Sequence, residues 1–161
     1  MNRELLEHYA NGAEKLSQSI RGLTDEDIRA IPDADANVGR WSIQQVVLHL
    51  CDCDAVFAVR MKFIIAEDNP TLPGFDENKW TAALQYDKQS AADAVKLFEL
   101  TRKQIVEICR ALPESAFDRA GTHTRVGRQT LTDILKLAVE HLDHHLKFIH
   151  AKRARMGKEM W

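Results

Sequence analysis

Two histidines four residues apart, His141 and His145, sit in the run EHLDHHLKFIH near the end of a 161-residue chain. At i and i+4 on a helix, their imidazoles leave the same face about one turn apart, a spacing that lets both grip one metal ion. The apolar stripe around them runs through Leu131, Ile134, Ala138, Leu142, Phe148 and Ile149. It puts His141 and His145 three and seven positions after Ala138, where core residues are expected. Two imidazoles in an apolar interior are costly without partners for their ring nitrogens. A cation resolves that cost, because neutral imidazole is the commonest metal donor. A third ligand must come from elsewhere, and His49 qualifies, on an inward stripe between Val46 and Cys53. Three histidines and an open position make the layout of a catalytic rather than a closed structural metal site. The alternative is a pair of core histidines bonded to carboxylates or water.

Nearby side chains refine the chemistry. Asp52 and Cys53 lie at i+3 and i+4 from His49. Asp52 is the candidate catalytic carboxylate, orienting a ligand or acting as a general base, unless it is a surface ion-pair partner. Cys53 would close the site as a soft fourth ligand, or is simply a small core residue. Cys51 and Cys53 do not form a metal knuckle, since residues two apart on a helix point about 200° apart. Glu140 turns about 100° from His141, so the Glu of an HExxH protease motif is absent. Trp41, Trp80 and Tyr86 either line a substrate pocket or pack beneath a crossover. The basic tail from Lys147 onward either meets an anionic partner or answers the dipole of its own helix.

Four helices are expected to position these groups. The first covers about residues 2–21 on Leu5, Leu6, Tyr9, Ala13, Leu16 and Ile20, and halts at Gly22. The second opens at Ser42 with a Ser-Ile-Gln-Gln capping box and stops at Asn69-Pro70. The third begins near Ser90 and ends before Pro113; the fourth opens at Thr130, with Asp133 three residues on, and runs to about Arg155. Residues 67–89 are long enough for a short helix and a crossover, and residues 122–128 read as a turn or short hairpin, with no convincing sheet. LTDEDI after the first helix and LPESAF after the third look like matching capped turns. The fold expected is therefore all-α, a four-helix bundle with a long crossover between helices 2 and 3, as one domain over residues 1–161.

Composition agrees. Hydrophobic residues make up 45% and charged residues 29%, while 7 Gly and 4 Pro offer little of the punctuation a many-stranded sheet needs. Three cysteines cannot all pair within one chain, and MNRELLEHYANG lacks the apolar centre of a signal peptide, so a reduced, cytoplasmic protein is expected. No apolar run suits a membrane span, and a net charge of −2 gives no argument for nucleic acid.

WSIQQVVLHLCDCD and TLTDILKLAVEHLDHHLKFI, with Trp41, the NPTLPGFDENKW segment and the Gly127, Thr130, Leu131 entry to the last helix, resemble the DinB/YfiT-like superfamily over nearly the whole chain. The resemblance implies a four-helix bundle with a long crossover and a divalent metal, zinc or nickel, on His49, His141 and His145. It also implies either a transferase that activates a low-molecular-weight thiol against an electrophile or a metal-dependent hydrolase. Many relatives carry His-Pro in the loop before the last helix, where this chain has His123-Thr124. The expected partners are a small-molecule substrate and a second copy of the chain, as a homodimer. A non-catalytic metal-binding or stress-related bundle is the competing class, favoured if Cys53 closes the site.

Overall fold

The computed structural model describes residues 2–33, 35 and 38–160. Helix α1 spans Asn2–Ser19, α2 Asp25–Arg29, α3 Ile43–Ala66, α4 Glu77–Ala83, α5 Ala91–Arg110 and α6 Leu131–Arg155. Single 3-10 turns lie at Tyr86–Lys88 and Glu114–Asp118. The starts follow local chemistry. Ser42 Oγ accepts from Gln45 N at 3.1 Å while Gln45 Oε1 accepts from Ser42 N at 2.9 Å, and Thr130 and Asp133 repeat this reciprocal arrangement at α6. Ser90 Oγ caps α5 by accepting from Asp93 N. The resemblance between the two inter-helix turns is only partial. Thr24 and Asp27 form a full capping box before α2, whereas the Glu114–Asp118 turn follows Pro113 and has no side-chain cap.

Each of α1 and α3 packs on both α5 and α6, so α1 and α3 face one another across the diagonal of a four-helix bundle. One apolar cluster gathers Tyr9, Phe57, Met61, Ile64, Ile105, Leu131 and Leu135; the other gathers Leu16, Ile43, Val47, Leu50, Phe98, Leu142 and Ile149. Between them lies a buried ion pair that touches every main helix. Arg102 of α5 donates from Nη2 and Nε to Asp54 Oδ1 of α3 at 2.8 and 3.0 Å, from Nη1 to the Tyr9 carbonyl of α1 at 2.9 Å, and from Nη2 to the Ala138 carbonyl of α6 at 3.1 Å. Tyr9 Oη donates to the other Asp54 oxygen. Burial pushes the Asp54 carboxyl up, against the pull of the guanidinium and the hydroxyl. Gly12 makes this approach possible: a Cβ there would run into the Arg102 guanidinium and come within 2.7 Å of Leu142.

The short hairpin expected around residues 122–128 is present, and contrary to expectation a further strand joins it to make a small sheet. β1 (Thr71–Leu72) pairs in parallel with β2 (Ala120–His123), which pairs antiparallel with β3 (Gly127–Thr130). Strands of two and four residues are too short to display an alternating period. Two of them meet only because the crossover returns to the loop before α6, and that meeting is tertiary. Gly121 sits where a Cβ would press on the Pro70 carbonyl at 2.8 Å. The sheet ties the crossover to the root of α6.

The basic tail turns inward. Arg153 Nη1 donates to the Ser19 and Arg21 carbonyls at the end of α1, Lys158 pairs with Asp27 at 2.7 Å, and Arg155 pairs with Asp35. These contacts brace the chain's own end.

Candidate metal centre

His49 lies in the second turn of α3, and His141 and His145 lie midway along α6. The stripe of α6 that enters the core continues through Leu142, Leu146 and Ile149. His141 and His145 stand one position aside from it, partly buried on the flank that meets α3, while His49 is only 1% exposed. Across that contact the three Nε2 atoms converge, with His49 at 3.1 Å from His141 and 3.2 Å from His145. Two nitrogens bound at about 2.0–2.1 Å to one tetrahedral ion are separated by roughly 3.3 Å. The donor set therefore fits a small divalent cation, with His141 and His145 each at about that separation from His49.

The rings are held from both sides. Trp41, just before α3, lies 5.0 Å from the His49 ring and stacks nearly parallel to His145 at 6.5 Å. Phe57 presents its edge to His141 at 5.8 Å. Burial, followed by the charges of neighbouring histidines, lowers all three pKa values: His49 and His145 to about 3, and His141 to about 4. At neutral pH no proton competes for these nitrogens.

Two further groups approach. Cys53 Sγ is 3.6 Å from His49 Nδ1 and 3.7 Å from Nε2. A ligand sharing an ion with Nε2 must lie beyond that atom, about 5 Å from Nδ1 by tetrahedral geometry. Nearly equidistant from both nitrogens, the thiol lies alongside the ring, and burial pushes its pKa well above the ordinary thiol range. Glu77 was not anticipated from sequence. Its Oε2 lies 4.0 Å from His49 Nε2, and the side chain is half exposed. It opens α4 directly after the cap Asp76, whose Oδ1 accepts from Lys79 N. No helical spacing relates residue 77 to the histidines, because the crossover alone carries it there. The one available hint was an Asp-Glu pair at a helix start.

The carboxylate of Asp52 accepts a 2.5 Å hydrogen bond from Tyr86 Oη. Tyr86 is buried beneath the crossover, where Gln44 Nε2 donates to its carbonyl. Trp41 and Trp80 line separate clefts, Trp41 beside His145 and Lys152, and Trp80 beside Asp52 and Phe75. Wider grooves of 410 and 480 Å³ on α1 and α5 contain no histidine. Of the remaining histidines, His8, His144 and His150 are exposed. His123, placed by sequence in the loop before the last helix, is instead a buried strand residue whose Nδ1 accepts from Arg125 N and Val126 N.

The depressed histidine pKa values predict an acid-sensitive apoprotein. Each imidazole titrates lower when folded than at the ordinary 6.5, so below pH 6.5 the unfolded chain binds more protons than the folded one. Stability is full above that point and is lost as pH falls towards 4 and 3, by up to about 1.4 kcal/mol per pH unit for each imidazole involved. Urea midpoints of chelator-treated protein should therefore drop between pH 7.5 and pH 5, and less steeply in His141→Leu. Equal midpoints at the two pH values would contradict the burial of these rings.

Comparison with known proteins gives a consistent picture. The family model described as "DinB superfamily" matches residues 8–149. The chain is similar to "Putative metal-dependent hydrolase OB0413" of Oceanobacillus iheyensis, at 28% identity over 145 residues covering 89% of this chain and 79% of that protein. It is likewise similar to "Putative metal-dependent hydrolase BcerKBAB4_2443" of Bacillus mycoides, at 29% identity over 151 residues covering 89% and 87%. Among solved structures it resembles YfiT from Bacillus subtilis, described as "a probable metal-dependent hydrolase with an unusual four-helix bundle topology". That match has a TM-score of 0.86 and 26% identity, covering 96% of this chain and 87% of YfiT.

Proposed function

The chain belongs to the DinB superfamily, and on that premise we propose that it is a metal-dependent hydrolase of small electrophilic molecules. His49, His141 and His145 hold one divalent cation, zinc or nickel. The observation that carries this reading is the convergence of three neutral Nε2 atoms at 3.1 and 3.2 Å. A cation held there supplies Lewis acidity, lowering the pKa of a nucleophile in the open position.

The chain's own residues do the rest. Glu77, half exposed and 4.0 Å from His49 Nε2, is the carboxylate that would take a proton from water at the cluster. Cys53 packs against the His49 ring without occupying that side. Asp52 acts one step back: by holding Tyr86 it fixes the crossover from which α4 and Glu77 emerge. Trp41 and Phe57 keep the imidazoles in register and limit water behind them.

The test is hydrolysis of a panel of activated esters, lactones and amides by protein loaded with zinc or nickel, with and without added thiols. Hydrolysis should require metal and no thiol. Glu77→Gln should lower kcat by about 10²-fold or more while retaining wild-type metal content. Turnover only with a thiol would replace hydrolysis with thiol transfer. A loaded protein inactive towards both would favour the non-catalytic bundle.

A further inference from the structure

Along α3, starting one turn beyond His49, a cleft of about 320 Å³ runs between that helix and the segment leading into α4. It is walled by Val56 and Val59 on one side and by Phe75 and Trp80, whose rings lie 4.5 Å apart, on the other. Asp52, one turn from His49, lines it, and so does Arg60. Trp80 stands three residues after Glu77, on the same face of α4. The cleft thus continues the α3 stripe that begins at His49.

Arg60 is unusual for a cation so placed. It is 4% exposed, and no carboxylate pairs with it among the described residues. Nε and Nη2 both donate to the Pro73 carbonyl, at 3.2 and 2.6 Å, which uses one edge of the guanidinium. Nη1 has no hydrogen-bond partner among the described residues, so the end edge of the fork is unclaimed. A second positive group crowds the same corner: the Arg125 side chain lies against Gly74, and the charges of Arg60 and Arg125 both bear on His123. A buried cation without an anion is costly, and a planar two-donor edge matches a carboxylate.

We propose that this cleft is the substrate subsite of the metal centre and takes a small carboxylic acid with an aryl or apolar body, its carboxylate seated on Arg60. The proposal rests on the hydrolase reading and adds the substrate class. Orientation follows from charge. Asp52 repels an anion at the histidine end and Arg60 attracts one at the other, so the susceptible bond faces the histidines. Asp52 and Arg60 are about 12 Å apart along the helix at 1.5 Å per residue, and the Phe57 ring bridges the interval, 5.8 Å from the His141 ring and 5.8 Å from the Arg60 guanidinium carbon. An arylalkyl acid bearing an ester or amide fits that span.

The experiment is an NMR titration of the Trp80 indole N–H, assigned with Trp80→Phe, using 3-phenylpropionate and its uncharged amide on metal-free and zinc-loaded protein. The acid should shift the resonance saturably and bind at least ten-fold more tightly than the amide, and Arg60→Gln should bring the two affinities together. Equal affinities in the wild type, or no saturable shift, would overturn the proposal. Because Arg60 also braces Pro73, the wild-type comparison of acid with amide carries the test even if the variant does not fold. Acid preference in a protein that retains no zinc would leave the subsite standing and remove the hydrolase reading. A loaded protein that ignores the acid would do the reverse.

Discussion

Replacing His141 with alanine is expected to reduce bound metal in tag-free, zinc- or nickel-reconstituted protein from near one equivalent to below about 0.2, given the near-full occupancy expected of a three-histidine site. His141 Nε2 is 3.1 Å from His49 Nε2, so its loss leaves two nitrogens and a hole on the α6 side. Neither Cys53, alongside the His49 ring, nor Glu77, at 4.0 Å, is placed to substitute without moving. The exposed His144, adjacent in sequence to His145, is the control: His144→Ala should keep its metal. Thermal denaturation gives an independent readout. Metal at 100 to 1,000 times its Kd should stabilise the wild type by roughly 2.7–4.1 kcal/mol, and His141→Ala should show almost none of that gain. Unchanged metal content in His141→Ala would mean the ion is held elsewhere.

The second large effect concerns the bundle. Arg102→Met should destabilise the protein by about 3–5 kcal/mol, because it leaves the Asp54 carboxylate buried and unpaired. Both side chains of the pair are 2% exposed, so water cannot replace the lost partner. The guanidinium also packs 4.3 Å from the Tyr9 and Phe98 ring centres, and methionine keeps part of that contact. Combining Arg102→Met with Asp54→Leu should recover most of the loss, since an apolar pair of similar volume often replaces a buried ion pair without net cost. Urea denaturation of the single and double variants measures the difference. A double variant no more stable than Arg102→Met would show that the bonds to the Tyr9 and Ala138 carbonyls, rather than the orphaned charge, dominate. The pair reaches the metal centre through the backbone, as Asp54 follows Cys53 and Ala138 lies one turn before His141.

The four long helices were legible because their signals are local. Ser42, Ser90 and Thr130 cap within three residues, and apolar residues recur every three or four positions. The histidine set was legible for a related reason: His141 and His145 share a face by spacing, and His49 lies on an inward stripe. The β2–β3 hairpin was legible as a turn around Gly127, but the parallel strand β1 was not, because two residues are too few for a period and its pairing joins residues about fifty positions apart. Glu77 was missed because a crossover, not a helix face, carries it to His49. The α6 stripe was read one position off, since an apolar pattern interrupted by histidines does not reveal which flank meets α3.

The sequence by itself determined where helices begin and end and which residue types lie on their inward faces, since hydrogen bonding and burial period act over a few residues. Only the tertiary structure decided that His141 and His145 of one helix meet His49 of another, that Cys53 lies beside the His49 ring, that Glu77 comes within 4.0 Å of it, and that Arg60 is buried against Pro73. Those relations depend on how the helices and the crossover pack together, and packing joins residues whose separation along the chain carries no periodic signal.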